Sequence, residues 1–142
     1  MDTVASKSET STTRASHLAS DRLGTVRSLL KYTYGLVPIV AGLDKFTHLL
    51  TDWSKYLAPV VTDLLPFRAD MFLYLVGVVE VLAGILVLLK PKIGSLVVSL
   101  WLMGIALNLL LTGQYYDIAV RDAVMAIGAF SLYLLLKVKA ER

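Results

Sequence analysis

The feature that most constrains this chain is residues 71–89, nineteen positions that are apolar, aromatic or glycine except for one carboxylate near the centre, Glu80. About 20 residues of α-helix cross the roughly 30 Å of hydrocarbon in a bilayer, so the run reads as a transmembrane helix. An acid at the midplane of such a helix costs at least ~2.5 kcal/mol and by default marks a pairing or functional site. Any account of the chain has to say what Glu80 is for.

The surrounding composition agrees with a membrane setting. The 142 residues are 56% hydrophobic and 18% charged, against about 25% charged in soluble domains, and the mean hydropathy is +0.68. One small membrane domain is the expectation. The absence of cysteine excludes disulfides, thiolate metal sites, iron–sulfur ligation and a dithiol relay supplied by this chain. The net charge of +3 does not point to nucleic acid, because the basic residues follow membrane topology instead.

Residues 1–26 form a polar tail rich in serine and threonine, from Thr3 and Ser6 to Ser20 and Thr25, with few large apolar groups. Such a segment cannot bury enough surface to fold alone. It has no apolar core with a small-residue cleavage site, and Asp2, Glu9 and Asp21 argue against a transit peptide. The membrane domain, 27–142, is expected to hold four spans at about 29–50, 71–89, 93–112 and 119–136. The first carries Gly35, Pro38 and Gly42, with a kink expected near Pro38. Between the first two spans, Trp53, Tyr56, Leu57, Val60, Val61 and Leu64 recur at helical spacing, which predicts a short interfacial helix broken by Pro59 and Pro66. Lys90, Pro91 and Lys92 make a turn short enough only for an antiparallel hairpin.

Counting basic residues orients the domain. Lys7, Arg14, Arg22, Arg27, Lys31, Lys90, Lys92, Lys137, Lys139 and Arg142 fall on the side of the two termini, and Lys45, Lys55, Arg68 and Arg121 on the other. Ten against four predicts a multi-pass protein of a bacterial inner membrane with both termini cytoplasmic. The simplest arrangement is an all-α, up-down-up-down four-transmembrane-helix bundle.

All four spans offer polar groups to the outer half of the membrane: Asp44, Lys45 and His48 from the first, Glu80 from the second, Asn108 from the third, Arg121 and Asp122 from the fourth. Gly77, Glu80 and Gly84 share a helix face, as do Trp101, Gly104 and Asn108, and Arg121 lines up with Met125 and Gly128. Glycine beside polar groups predicts helix contacts there. Two readings stand. In one, the cluster is structural, with Lys45 or Arg121 neutralising a carboxylate and Asn108 bonding across helices. In the other, it lines a pocket that takes a small molecule, a quinone head group or a lipid, or relays protons through Glu80. The lone His48 in the membrane region cannot supply bis-histidine haem ligation, and no metal, nucleophile–base or nucleotide-binding pattern occurs. The aromatic residues Tyr32, Tyr34, Tyr74, Trp101 and Tyr133 read as packing and belt residues.

Three of these stretches carry a family resemblance: Gly35, Ala41 and Gly42 with Asp44-Lys45-Phe46; Gly77-Val78-Val79-Glu80-Val81-Leu82-Ala83-Gly84; and Tyr116-Asp117-Ile118-Ala119-Val120-Arg121-Asp122. Their order and spacing resemble the DoxX-like family of small four-helix integral membrane proteins over about residues 28–138. The resemblance implies a four-helix bundle, and implies association with larger assemblies: members are linked to thiosulfate:quinone oxidoreductase as membrane subunits, to redox-stress complexes and, among distant relatives, to cargo export and receptor assembly. Glu80, Lys45, Arg121 and Asp122 match the family's recurring polar positions, and no catalytic residue carries over. The Ser/Thr-rich tail departs from the pattern and suggests anchoring to a partner.

The expectation is therefore a small, non-catalytic integral membrane subunit of a larger bacterial complex, redox or respiratory in kind, embedded in lipid beside other membrane subunits and binding no nucleic acid. The alternative is a quinone-linked oxidoreductase subunit or small-molecule transporter that uses the polar cluster as its site.

Overall fold

The computed structural model describes the backbone of residues 2–64, 66 and 68–140, with side chains between 13 and 138. The tail side chains from Thr3 to Thr12, Lys7 among them, and Lys139 and Arg142 at the other end lie outside the described side chains. The chain is helical, with no strand among the described residues. Helix α1, Asp2–Thr47, is followed by a short 3-10 helix, Trp53–Tyr56, then α2, Pro59–Leu64, α3, Ala69–Leu89, α4, Pro91–Leu111, and α5, Tyr116–Ala140. Helices α3, α4 and α5 are long and apolar enough to cross a membrane, with mean hydropathies of 2.6, 2.1 and 1.7. No more than a third of each span is buried inside the chain, so the remaining apolar surface requires a nonaqueous covering.

The Ser/Thr-rich stretch is continuous with α1, which passes through Pro38 without ending. Residues 13–23 of this extension are exposed. They contribute helix but little packing. The polar segment after α1 forms two short pieces, Trp53–Tyr56 and Pro59–Leu64, divided at Pro59, which disfavours the helical conformation in the residue before it.

Helix α1 packs along α3, α4 along α5, and contacts between α3 and α4 and between α1 and α5 join the two pairs. Paired glycines set the α1–α3 approach. A Cβ on Gly42 would lie 2.5 Å from the carbonyl oxygen of Gly77, and one on Gly77 would lie 2.7 Å from that of Gly42. Seven residues away on each helix, Gly84 meets the backbone of Gly35 in the same way. Only a residue without Cβ lets two helix backbones touch like this, and the matched seven-residue spacing locks the two helices antiparallel. The α3–α4 hairpin closes on Lys90 alone, with Pro91 opening α4 where its missing N–H costs nothing. Gly94 abuts the backbone of Val87. On the far side, Ser99 donates a 2.8 Å hydrogen bond to the carbonyl of Ala126, linking α4 to α5. The apolar core lies towards this hairpin end: Ala83, Val87, Val98, Ala129 and Leu132, packed by Leu30, Tyr34, Leu102 and Leu136.

Gly104 differs from the other helix-interior glycines of the spans. Nothing lies within 4 Å of a Cβ built on it, so the face it shares with Trp101 and Asn108 does not run as a helix contact along its whole length. The buried stripe of α4 passes instead through Ser95, Val98, Ser99, Ala106 and Leu109.

Candidate functional site

Glu80 pairs with Lys45. The Lys45 ammonium lies 2.5 Å from Glu80 Oε2, and the two residues are 4% and 5% exposed. The local sequence explains how they meet. Side chains on a helix tilt towards its N-terminus. Because α1 and α3 run antiparallel, Lys45 leans along α1 towards the middle of the molecule while Glu80 leans the opposite way along α3. Lys45 stands beside Gly77, where its Cβ lies 3.2 Å from the place a Gly77 Cβ would occupy. The bare backbone of Gly77 leaves room for the lysine stem to run one helical turn down α3 to Glu80.

Both ends of the pair are closed by tryptophan. Glu80 Oε1 accepts a 3.4 Å hydrogen bond from the Trp101 indole, and the Lys45 ammonium stands 3.8 Å from the centre of the Trp53 ring, a favourable cation–π geometry. Trp53 is held there by Asp44, whose Oδ2 accepts from its indole nitrogen at 2.8 Å. The other oxygen, Oδ1, accepts from the backbone N–H groups of Leu49 and Leu50 at 2.9 and 3.0 Å and from the Thr47 hydroxyl at 3.2 Å. Asp44 therefore folds the chain back after α1 and lays Trp53 over Lys45. His48 permits the reversal by taking a left-handed backbone conformation, φ 52°, with its N–H bonded to the Asp44 carbonyl at 2.7 Å. Its side chain is exposed.

Asn108 clamps the next part of the connection. Its amide nitrogen donates to the Tyr56 carbonyl at 2.7 Å, and its oxygen accepts from the Ala58 N–H at 3.1 Å. This ties the two short helices to α4. On α5, Arg121 is exposed and Asp122 half-buried; neither makes a hydrogen bond or ion pair among the described residues. Asp122 lies close enough to feel the charges of Arg121, Glu80 and Lys45.

Of the seven sequence-derived candidates, Lys45 and Glu80 come into contact. Asp44 and Asn108 brace the loop beside them, Asp122 lies near the pair without bonding to it, and His48 and Arg121 make no side-chain contact with it. The sequence placed Trp53 on a short helix after the first span and Trp101 among packing and belt residues, and both touch the polar group. The available signal was position: Trp53 follows Asp44 by nine residues, as a folded-back loop allows, and Trp101 mirrors Glu80 across the hairpin centred on Lys90 and Pro91.

Chemically, both carboxylate oxygens of Glu80 are engaged and the ammonium of Lys45 is covered. Two shallow depressions flank α1, one lined by Leu36, Val37, Val40, Ala41 and Leu50, the other by Val40, Leu43, Asp44, Thr47, Leu49 and Leu50. Lys45 and Glu80 line neither. Among the described residues, no group of three histidines and acids is placed to hold a metal ion. Compared with protein-family models, curated proteins and solved structures, the chain matches none.

Proposed function

We propose that this chain is a small, non-catalytic integral membrane subunit of a larger bacterial membrane complex, redox or respiratory in kind, in the manner of the DoxX-like proteins it resembles. The observation that supports this reading most is the closed Lys45–Glu80 pair. A site that binds or turns over a substrate keeps at least one polar group open to it, whereas here the cation and the acid are consumed by each other and by two indoles. Such a pair fixes which helix faces meet, the best-attested use of buried charge. In this reading the part of α1 beside α3 is a fourth span at the same depth as its partner, and the 3-10 helix and α2 lie at the outer interface. The basic residues clustered at the hairpin end favour a cytoplasmic side for both termini, in an inner membrane. The tail of α1 then projects into the cytoplasm, where it offers a surface to a partner.

A second reading, a quinone-linked or transport site, draws on Asp122, a half-buried acid with no hydrogen bond close to the pair's charges. Gentle extraction in mild detergent separates the two. Stable co-purifying membrane proteins support the subunit role, whereas a lone chain carrying stoichiometric quinone supports the second. Glu80→Gln and Glu80→Ala sharpen the test: assembly lost in Ala but kept in Gln supports the structural role. Intact assembly with loss of a measurable turnover in both variants overturns it.

A further inference from the structure

Among the described residues, the buried side-chain nitrogen that lacks a hydrogen-bond partner is Nε of Arg27. Arg27 is half-buried on α1 where it passes the last turns of α5, and its Nη2 makes one long bond, 3.5 Å, to the Leu135 carbonyl. Among the described residues, no other hydrogen bond or ion pair engages the guanidinium. Five N–H donors in a rigid fork fit the oxygens of phosphate or carboxylate, and here the protein supplies one marginal acceptor. Nε is covered by the protein, but the half-buried guanidinium keeps Nη donors with no acceptor among the described residues beyond the long Leu135 contact, and such donors fit an acceptor from outside the chain.

The depth of Arg27 identifies that partner. Tyr34 of α1 meets Gly128 of α5. Seven residues back along α1 and seven residues on along α5, Arg27 meets Leu135. Gly35 meets Gly84 on α3, and Arg27 lies eight residues from Gly35, about 12 Å, towards the α3–α4 turn. Arg27 therefore stands at the level of that turn, where Lys90 and Lys92 are exposed, with exposed Lys137 near the end of α5 and Lys31 one turn nearer the middle. No carboxylate forms an ion pair with any of them among the described residues. Leu29, Leu134 and Val138, all exposed, give this level of α1 and α5 apolar surface. A cationic fork at the edge of apolar helices matches a phosphate joined to acyl chains rather than a free ion in water.

We propose that Arg27, assisted by Lys31, binds the phosphodiester headgroup of an anionic phospholipid at the seam between α1 and α5. This rests on the membrane placement of the helices but not on the subunit role, so a chain without protein partners would leave it standing. The test uses the full chain in detergent. Retention of phosphatidylglycerol and of phosphatidylcholine is compared by native mass spectrometry, with melting in added inorganic phosphate as the free-ion arm. Wild type retains phosphatidylglycerol preferentially, and Arg27→Gln loses about fivefold of that preference, whereas the paired Lys90→Gln and Lys92→Gln variant loses less. Equal retention of the two lipids by wild type overturns the proposal without needing any variant to fold. So does a loss in the Lys90 and Lys92 variant as large as that in Arg27→Gln, which would mean diffuse attraction without a site. Inorganic phosphate stabilising the chain as well as phosphatidylglycerol does would assign the site to a free anion and likewise overturn it.

Discussion

Replacing Lys45 by methionine removes the cation while keeping an unbranched stem of similar reach beside Gly77. At the observed 2.5 Å separation, an effective dielectric near 20 gives an attraction of about 7 kcal/mol. Desolvation of the two ions offsets several kcal/mol each, so the pair itself contributes little net stability. The cost of the single change comes from what it leaves behind: Glu80, 5% exposed, with only the 3.4 Å indole contact of Trp101. Breaking a buried pair by removing one partner costs ~3–5 kcal/mol, or about 10 °C or more in Tm for a chain of this size. Adding Glu80→Leu to Lys45→Met removes the orphaned acid and brings stability back to within about 1 kcal/mol of wild type. With Glu80→Leu alone costing a similar ~3–5 kcal/mol by orphaning Lys45, the double-mutant cycle then reports a coupling of about 5 kcal/mol or more. Intrinsic fluorescence during thermal unfolding in detergent reads the site directly, because the two tryptophans of the chain are the ones that touch the pair. If Lys45→Met melts with wild type, or the double variant is no more stable than the single, Lys45 and Glu80 are not coupled as described.

Gly42→Leu drives a side chain into the backbone of α3 at Gly77 and lowers stability by ~1–3 kcal/mol or more, while Gly104→Ala, with open space around it, stays within about 0.5 kcal/mol; thermal melts of the two that coincide would refute the glycine-set approach of α1 and α3. Asn108→Leu releases the Tyr56 carbonyl and Ala58 N–H, costs ~1–2 kcal/mol, and raises the rate of limited proteolysis across residues 49–58. Asp52 caps the 3-10 helix through the Ser54 hydroxyl and N–H at 2.6 and 3.0 Å, and these bonds, the hydroxyl first, hold its carboxyl below the usual carboxylate value. A depressed folded pKa means that the cap's contribution is present above the ordinary carboxylate pKa and fades as pH falls through the folded one. In Ser54→Ala the acid limb of the Trp53 fluorescence titration therefore moves to higher pH, and an unmoved limb counts against the cap.

Much of the architecture was legible in the linear chain. Residues 71–89 and 93–112 read as spans because an unbroken apolar run of membrane length has few alternatives, and α3 and α4 follow them closely. The hairpin at Lys90 was visible for the same reason: one Pro-containing turn leaves no room for another path. Element ends were less legible. The helix of α1 reaches back through the Ser/Thr-rich stretch to Asp2 and stops at Thr47, since backbone hydrogen bonding continues where side-chain composition changes, and the C-terminal stop depends on Asp44 capturing Leu49 and Leu50. The segment between α1 and α3 is divided at Pro59, as the proline announced, but that its first piece is a 3-10 turn capped by Asp52 depends on contacts beyond local periodicity.

The candidate site divides along the same line. Sequence alone determined that Glu80 sits in an apolar span with glycines at Gly77 and Gly84 on its face, and that cations on other helices fell towards the same half of the bundle, because hydropathy and helical periodicity are properties of one helix at a time. Which cation pairs with Glu80 was a matter between helices. Lys45 and Arg121 were equal candidates until the contacts of Gly42 with Gly77 and Gly35 with Gly84 fixed α1 against α3, and with that register the opposed tilts of side chains on antiparallel helices carried Lys45 to the acid. The fold-back at Asp44 then placed Trp53 over the ammonium, a contact that depends on a chain reversal and so has no signature in local periodicity. The chain itself thus specified that a charge had to be buried, and only the tertiary packing, through backbone contact at four glycines, decided its partner.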